Sequence, residues 1–280
     1  MLVTDENGKV IPIEDMWSET NDSVTAAVLG RAHNNVVKVS PNGDNTDGKS
    51  WATAYQTLQV ALNSCSTDKD CTTLVLLGNT STFYDINTPG DPTWDCNVDI
   101  VGTHRIWAPV RNNNASATSV LNFTGKASIS DLAIFTTGSV DGVSFTASGW
   151  RVRKCGFNSS GTSGANTSVH IDGSAALTRG GIMEDVEFIG HVTHTTAIHV
   201  EQSTINHFHH VNIHTSLVGV HIEDSDSIRN YFEDMDIGGC ALGIDIDAGG
   251  HNHFDDVNFH ENTRNIDDEV GTQHYTNLFC

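Results

Sequence analysis

The chain has 280 residues with 35 acidic and 14 basic side chains, a formal net charge of −21 and a hydrophobic share of 38%. Binding phosphates takes clustered Lys and Arg, so nucleic acid is excluded as the expected partner. No run approaches the ~18 apolar residues of a membrane span, so no membrane insertion is expected, and five prolines in the whole chain are too few for a proline-rich disordered segment. Met1-Leu2-Val3 leads straight into charge, which predicts no secretory signal and an exit, where there is one, by a route such as lysis.

In chain order, residues 1–37 differ from the rest. A small hairpin is expected to turn at Asn7-Gly8, and Ser23 to Arg31 has slight helical character. The segment is too small for its own core. It reads either as an attachment arm ahead of the following domain or as a leader without fixed structure.

Residues 38–65 follow, with the stretch Val39-Ser40-Pro41-Asn42-Gly43-Asp44-Asn45-Thr46-Asp47-Gly48-Lys49-Ser50-Trp51, a strand running into an Asn-, Asp- and Gly-rich turn. Trp51, Tyr55, Leu58 and Leu62 are spaced four, three and four apart, which predicts an amphipathic helix with those four on one face. Such a helix can plug the open core of a first solenoid coil. Cys65 and Cys71, six residues apart across a polar loop, are placed to close a disulfide or to remain thiols.

From residue 66 to 280 the chain reads as coils. Thr73–Gly78 and Val98–Gly102 are the first strands, followed by Ile106–Val110 and Val120–Phe123. A six-residue phrase then recurs, at Ile129–Ile134, Val152–Phe157, Met183–Phe188, Phe208–Ile213, Phe232–Ile237 and Phe254–Phe259, with apolar residues at positions one, four and six. The last four copies start 25, 24 and 22 residues apart, a period that identifies a solenoid. A second phrase follows each of these, Ile198-His199-Val200, Val220-His221-Ile222, Ile244-Asp245-Ile246 and Ile266-Asp267-Asp268, whose alternation describes a strand with one buried face. Two short strands per coil with polar turns between them predict an all-β, single-stranded right-handed parallel β-helix. Residues 158–168 form its long Ser-, Gly- and Thr-rich insertion, and six Asn-x-Ser/Thr sequons, at Asn21, Asn79, Asn114, Asn122, Asn158 and Asn166, fit chance in such a composition.

Stacked coils turn these phrases into columns ~4.8 Å apart. Position two stacks Ser130, Arg153, Glu184, His209, Glu233 and Asp255, and position three stacks Asp131, Lys154, Asp185, His210, Asp234 and Asp256. Position three is expected in the bend between strands, where Asp and Asn tolerate left-handed backbone angles. The second strand stacks Ser144, His170, His199, His221, Asp245 and Asp267. For acid–base catalysis the candidate carboxylates are Glu184, Glu233 and Asp255. Adjacent coils approach the ~5–5.5 Å of a retaining glycosidase and alternate coils the ~6.5–9.5 Å of an inverting one. Any acidic solenoid produces such pairs, so they do not by themselves indicate an enzyme. Of the 15 His residues, His207/His209 and His251/His253 form His-x-His pairs that place two imidazoles on one strand face, a start for a metal ligand set. Solvated imidazole that spaces out the acids is the competing reading. Repulsion between stacked carboxylates predicts dependence on salt or on a divalent cation, calcium or a transition metal, and the acidic surface suits a halophilic setting.

The Asn-Gly-Asp-x-x-Asp-Gly-x-Ser-Trp-x-x-Ala pattern at residues 42–54, continuing to Leu58 and to Ala61-Leu62, resembles the entry to right-handed parallel β-helix proteins of the pectate-lyase-like superfamily, which includes viral tail spikes and fibres. The resemblance implies the fold and a virion setting: a tail fibre, spike or capsid decoration, homotrimeric, held to other virion proteins through residues 1–37 and facing a cell-surface glycan. In a trimer the His-x-His pairs would bring six imidazoles together. The alternative it implies is a polysaccharide lyase or glycoside hydrolase. Members that cleave polysaccharide carry an aromatic, Arg- or Lys-bearing groove, whereas past residue 180 the basic side chains other than His are Arg229 and Arg264.

Overall fold

A computed structural model describes residues 36–66, 72–77, 83–90, 92–103, 108–159, 165–191 and 193–280. The hairpin and helical expectations for residues 1–35 lie outside the described residues, as does Cys71. The rest is an all-β, single-stranded parallel β-helix of about eight turns with one short helix at its entry. Each coil contributes to a 14-stranded sheet and, after a turn, to an 8-stranded one, and strands pair in parallel with the equivalent strands of the coils before and after.

The repeated phrase explains the path. Positions one, four and six are buried in every later coil, for example Phe232, Met235 and Ile237. Between them the chain bends at position three, where Asp131, Lys154, Asp185, His210, Asp234 and Asp256 all take left-handed angles of φ 51–56°. Strand alternation would send position three inward and position four outward. One left-handed residue resets the alternation, so two strand legs both point apolar side chains at one core. Aromatic rings stack along that core: Phe208, Phe232 and Phe254 follow at centroid spacings of 4.5 and 4.8 Å, and exposed Tyr275 continues the row at 5.4 Å.

Polar groups are also threaded through the interior. Asn206, Asn230 and Asn252 are fully buried. Each amide Nδ2 of the first two donates to the Oδ1 of the next, at 2.8 and 3.1 Å, and Asn252 passes the pattern on by donating its backbone N–H to Gln273. The turn preceding the strands is thereby tied from coil to coil without exposing a backbone group to the core. Close packing limits side-chain size nearby: a Cβ on Gly181 would lie 1.9 Å from the indole of buried Trp150.

At the entry the helix spans Leu58–Ser66, and Leu58, Ala61, Leu62 and Cys65 bury their side chains over the first coils. It starts later than the four-residue spacing suggests. Trp51 and Tyr55 belong to a compact turn ahead of it, in which Tyr55 exchanges backbone hydrogen bonds with Lys38 and Ser40 at 3.0 and 2.8 Å. Those bonds use the groups that a helix through Tyr55 would need, and Thr57, whose hydroxyl accepts from the Val60 N–H, caps the shorter helix. The strand expected at Ile106–Val110 runs Ala108–Asn112. Cys155 and Cys240 are buried thiols, and burial raises the Cys155 pKa to about 12.

Candidate functional site

The outward columns are in register as the repeat requires. On the smaller sheet Ser144, His170, His199, His221, Asp245 and Asp267 are successive parallel partners. The three imidazoles stack with centroids 4.6 and 4.7 Å apart and planes within 4° and 15°. Two residues further along the chain stands a carboxylate, Asp172 and Glu201 at the ends of their strands and Glu223, Asp247 and Glu269 just past theirs. Each imidazole leans to the acid of the following coil. His170 Nε2 is 3.2 Å from Glu201, His199 Nε2 2.8 Å from Glu223 and His221 Nε2 3.1 Å from Asp247.

The pairing changes character along the column. His170 and His221 hydrogen-bond their acids. His199 Nε2 is buried in contact with Glu223 but makes no well-directed hydrogen bond. Burial first, then the charges of His170 and His221, lower the His199 pKa to about 4, with Glu223 opposing. Burial and the Asp172 charge raise Glu201. At Asp245 a carboxylate replaces the imidazole, and burial followed by Asp247 raises its pKa, with His221 opposing and Asp267 and Glu269 adding to the rise. Arg264 forms an ion pair with Asp267.

The larger sheet carries the catalytic candidates. Glu184 is held by Arg153 at 2.6 Å. Glu233 and Asp255 are direct neighbours in register, and Asp255 accepts from the Asn277 amide at 3.4 Å. His209 separates Glu184 from Glu233. At the bend, His210 bridges Asp185 and Asp234 at 3.4 and 2.7 Å, beside a hollow of about 370 Å³ lined also by Cys155, Glu187 and Asn212.

The His-x-His residues are distributed differently from a single ligand set. His207 and His253 stack on either side of Tyr231, at 4.7 and 4.9 Å, and His253 stacks on His274 at 4.6 Å. His251 lies before its strand at φ 56° with its ring 5.9 Å from His274. Among the described residues three groups bring potential ligand atoms within 4.8 Å of one another: His199, His221 and Glu223; His209, His210 and Asp234; and His221, Asp245 and Asp247. Only His209 of the four sequence candidates is in one of them. The sequence does carry the signal for the others, in the recurrent His-x-Asp/Glu at 170–172, 199–201 and 221–223.

No family model matches this chain, and no curated protein matches it. A solved structure described as Geobacillus virus E2 ORF18 aligns with 99% of this chain and 68% of its own at 12% identity, with a TM-score of 0.34. Likeness at that level assigns nothing to this chain.

Proposed function

We propose that the protein is a virion surface structural protein, a tail fibre, spike or capsid decoration of the pectate-lyase-like superfamily, that holds a rigid acidic surface towards the host. The observation that carries this reading is the continuity of the outward columns. Titratable groups run in register through successive coils of both sheets, so the chemistry forms a long face and not one cleft. A solenoid in which each coil rests on its neighbours suits such a role, because its surface keeps its shape without a partner. In this reading residues 1–37 attach to other virion proteins, the assembly is a homotrimer, a cell-surface glycan is the contact, and the protein reaches the outside on lysis. Among the described residues no helix is long and apolar enough to cross a membrane.

A second reading, a polysaccharide lyase or glycoside hydrolase, is favoured by the register that sets Glu233 beside Asp255. One set of measurements separates the two. The mass of the protein in solution and its copurification with virus particles test display, and release of reducing ends or unsaturated sugars from cell-surface polysaccharide tests cleavage. A particle-bound trimer without cleavage supports the first reading. A monomer that depolymerises glycan overturns it.

A further inference from the structure

We propose that His199, His221 and Glu223 bind one divalent transition-metal ion of the zinc class on the outer face of the smaller sheet. Each residue already brings a ligand atom within 4.8 Å of the other two. They come from two neighbouring coils held in register, His199 opposite His221 on paired strands, with Glu223 the first residue after the strand Val218–Ile222 and its backbone N–H donating to the Val200 carbonyl at 3.2 Å.

The contact between His199 and Glu223 is the telling detail. The two atoms are 2.8 Å apart, and the buried Nε2 makes no well-directed hydrogen bond there. Two donors on one zinc-class ion, at ~2.0–2.2 Å each, stand ~3.0–3.4 Å apart with no hydrogen on the line between them. The His199–Glu223 contact lies close to that arrangement. An ion there would satisfy both a nitrogen that lacks a partner and a carboxylate in an acidic column. Two imidazoles with one carboxylate select zinc, nickel, cobalt or copper over calcium, which takes six to eight oxygens.

The surroundings fit. Asp247, 3.1 Å from His221 Nε2, holds the orientation of the second ring. Glu223 is 54% exposed on its side chain, which leaves a path for the ion. The other two groups are poorer. His210 already has both nitrogens on aspartates, and the third group offers one imidazole with two carboxylates, Asp245 and Asp247, a poorer set for a zinc-class ion. The proposal does not depend on where the protein is displayed.

The test uses the untagged full chain. Zinc binding is measured by titration calorimetry after dialysis against chelator, and cobalt(II) is substituted to record its visible spectrum. The expected result is one ion per chain, with affinity reduced at least about tenfold in both His199→Gln and Glu223→Gln, and unchanged in His251→Gln. Glu223 is exposed, so E223Q reports binding even where H199Q disturbs the fold. Zinc affinity unchanged in E223Q, loss of binding in H251Q, or calcium binding at this site in preference to zinc each overturns the assignment.

Discussion

Replacing Asn230 by Ala tests whether the buried amide row sustains the fold. Asn230 donates to the Ser203 carbonyl at 3.0 Å and to Asn252 Oδ1 at 3.1 Å, and its own Oδ1 accepts from the backbone N–H and the amide of Asn206 at 3.1 and 2.8 Å. Two of the partners keep another bond after truncation: Asn252 Oδ1 still accepts from the Asn230 N–H, and the Asn206 amide still reaches Ser203 Oγ. The Asn206 N–H and the Ser203 carbonyl lose the bonds described. At about 1–3 kcal/mol for each buried group left unsatisfied, the expected loss is about 3 kcal/mol. With a urea m-value of about 3 kcal/mol/M this lowers the unfolding midpoint by about 1 M. Hydrogen exchange should show the loss concentrated in residues 203–206 and the neighbouring coils, since a solenoid's stability is summed over adjacent repeats. Asn258→Ala is the control, because that amide makes an exposed bond to Asp236 at 2.7 Å and its loss should stay within about 0.5 kcal/mol. A midpoint for N230A equal to that of the control would refute the reasoning.

Other outcomes follow from the same geometry. Gly181→Ala places a methyl 1.9 Å from the Trp150 indole, so it should destabilise by about 1–3 kcal/mol and shift tryptophan emission, and a neutral result would mean that Trp150 repacks freely. Asp234→Val puts a β-branched residue at φ 52°, with an expected cost of about 1–2 kcal/mol, whereas Asp234→Gly should cost less; equal melting points for the two would remove the backbone argument. His199 has its folded pKa near 4 against 6.5 in the unfolded chain, so its contribution is present above pH 6.5 and is lost as pH falls towards 4. Asp245 has the opposite sign, its folded pKa lying above 3.8, so acidification through that range relieves it and Asp245→Asn should raise the neutral-pH melting point. Melting curves of H199Q and D245N across pH 4–7 check both. Raising NaCl from low to high concentration should raise the midpoint by screening the carboxylate columns, and an unchanged midpoint would sink that account.

Much of this was legible because a solenoid writes its structure locally and repeatedly. The spacing of Met183, Phe208, Phe232 and Phe254 gives the coil length, and their apolar pattern gives the inward face. The left-handed bend at Asp185, His210, Asp234 and Asp256 was equally readable, since three of the four are a residue that tolerates that angle. Other features depended on neighbours distant in sequence. The helix pattern through Trp51 and Tyr55 was overridden by hydrogen bonds to the strand at Lys38, which no local spacing reveals. Asn206, Asn230 and Asn252 look like turn residues until successive coils bring their amides together. The His–carboxylate face was half visible: the histidine column stands in the sequence, but its acids pair one coil onward, a diagonal that only the three-dimensional register supplies.

The parallel ladders also determine how the molecule bears load. Hydrogen bonds between coils run along the long axis, and the covalent chain circles it. Tension applied at the two ends therefore pulls directly on the noncovalent bonds and should strip coils one after another, each costing a similar small force. Squeezing from the side instead works against the packed aromatic rings and the closed loop of backbone. The molecule should therefore resist pressure from the side better than tension along its axis.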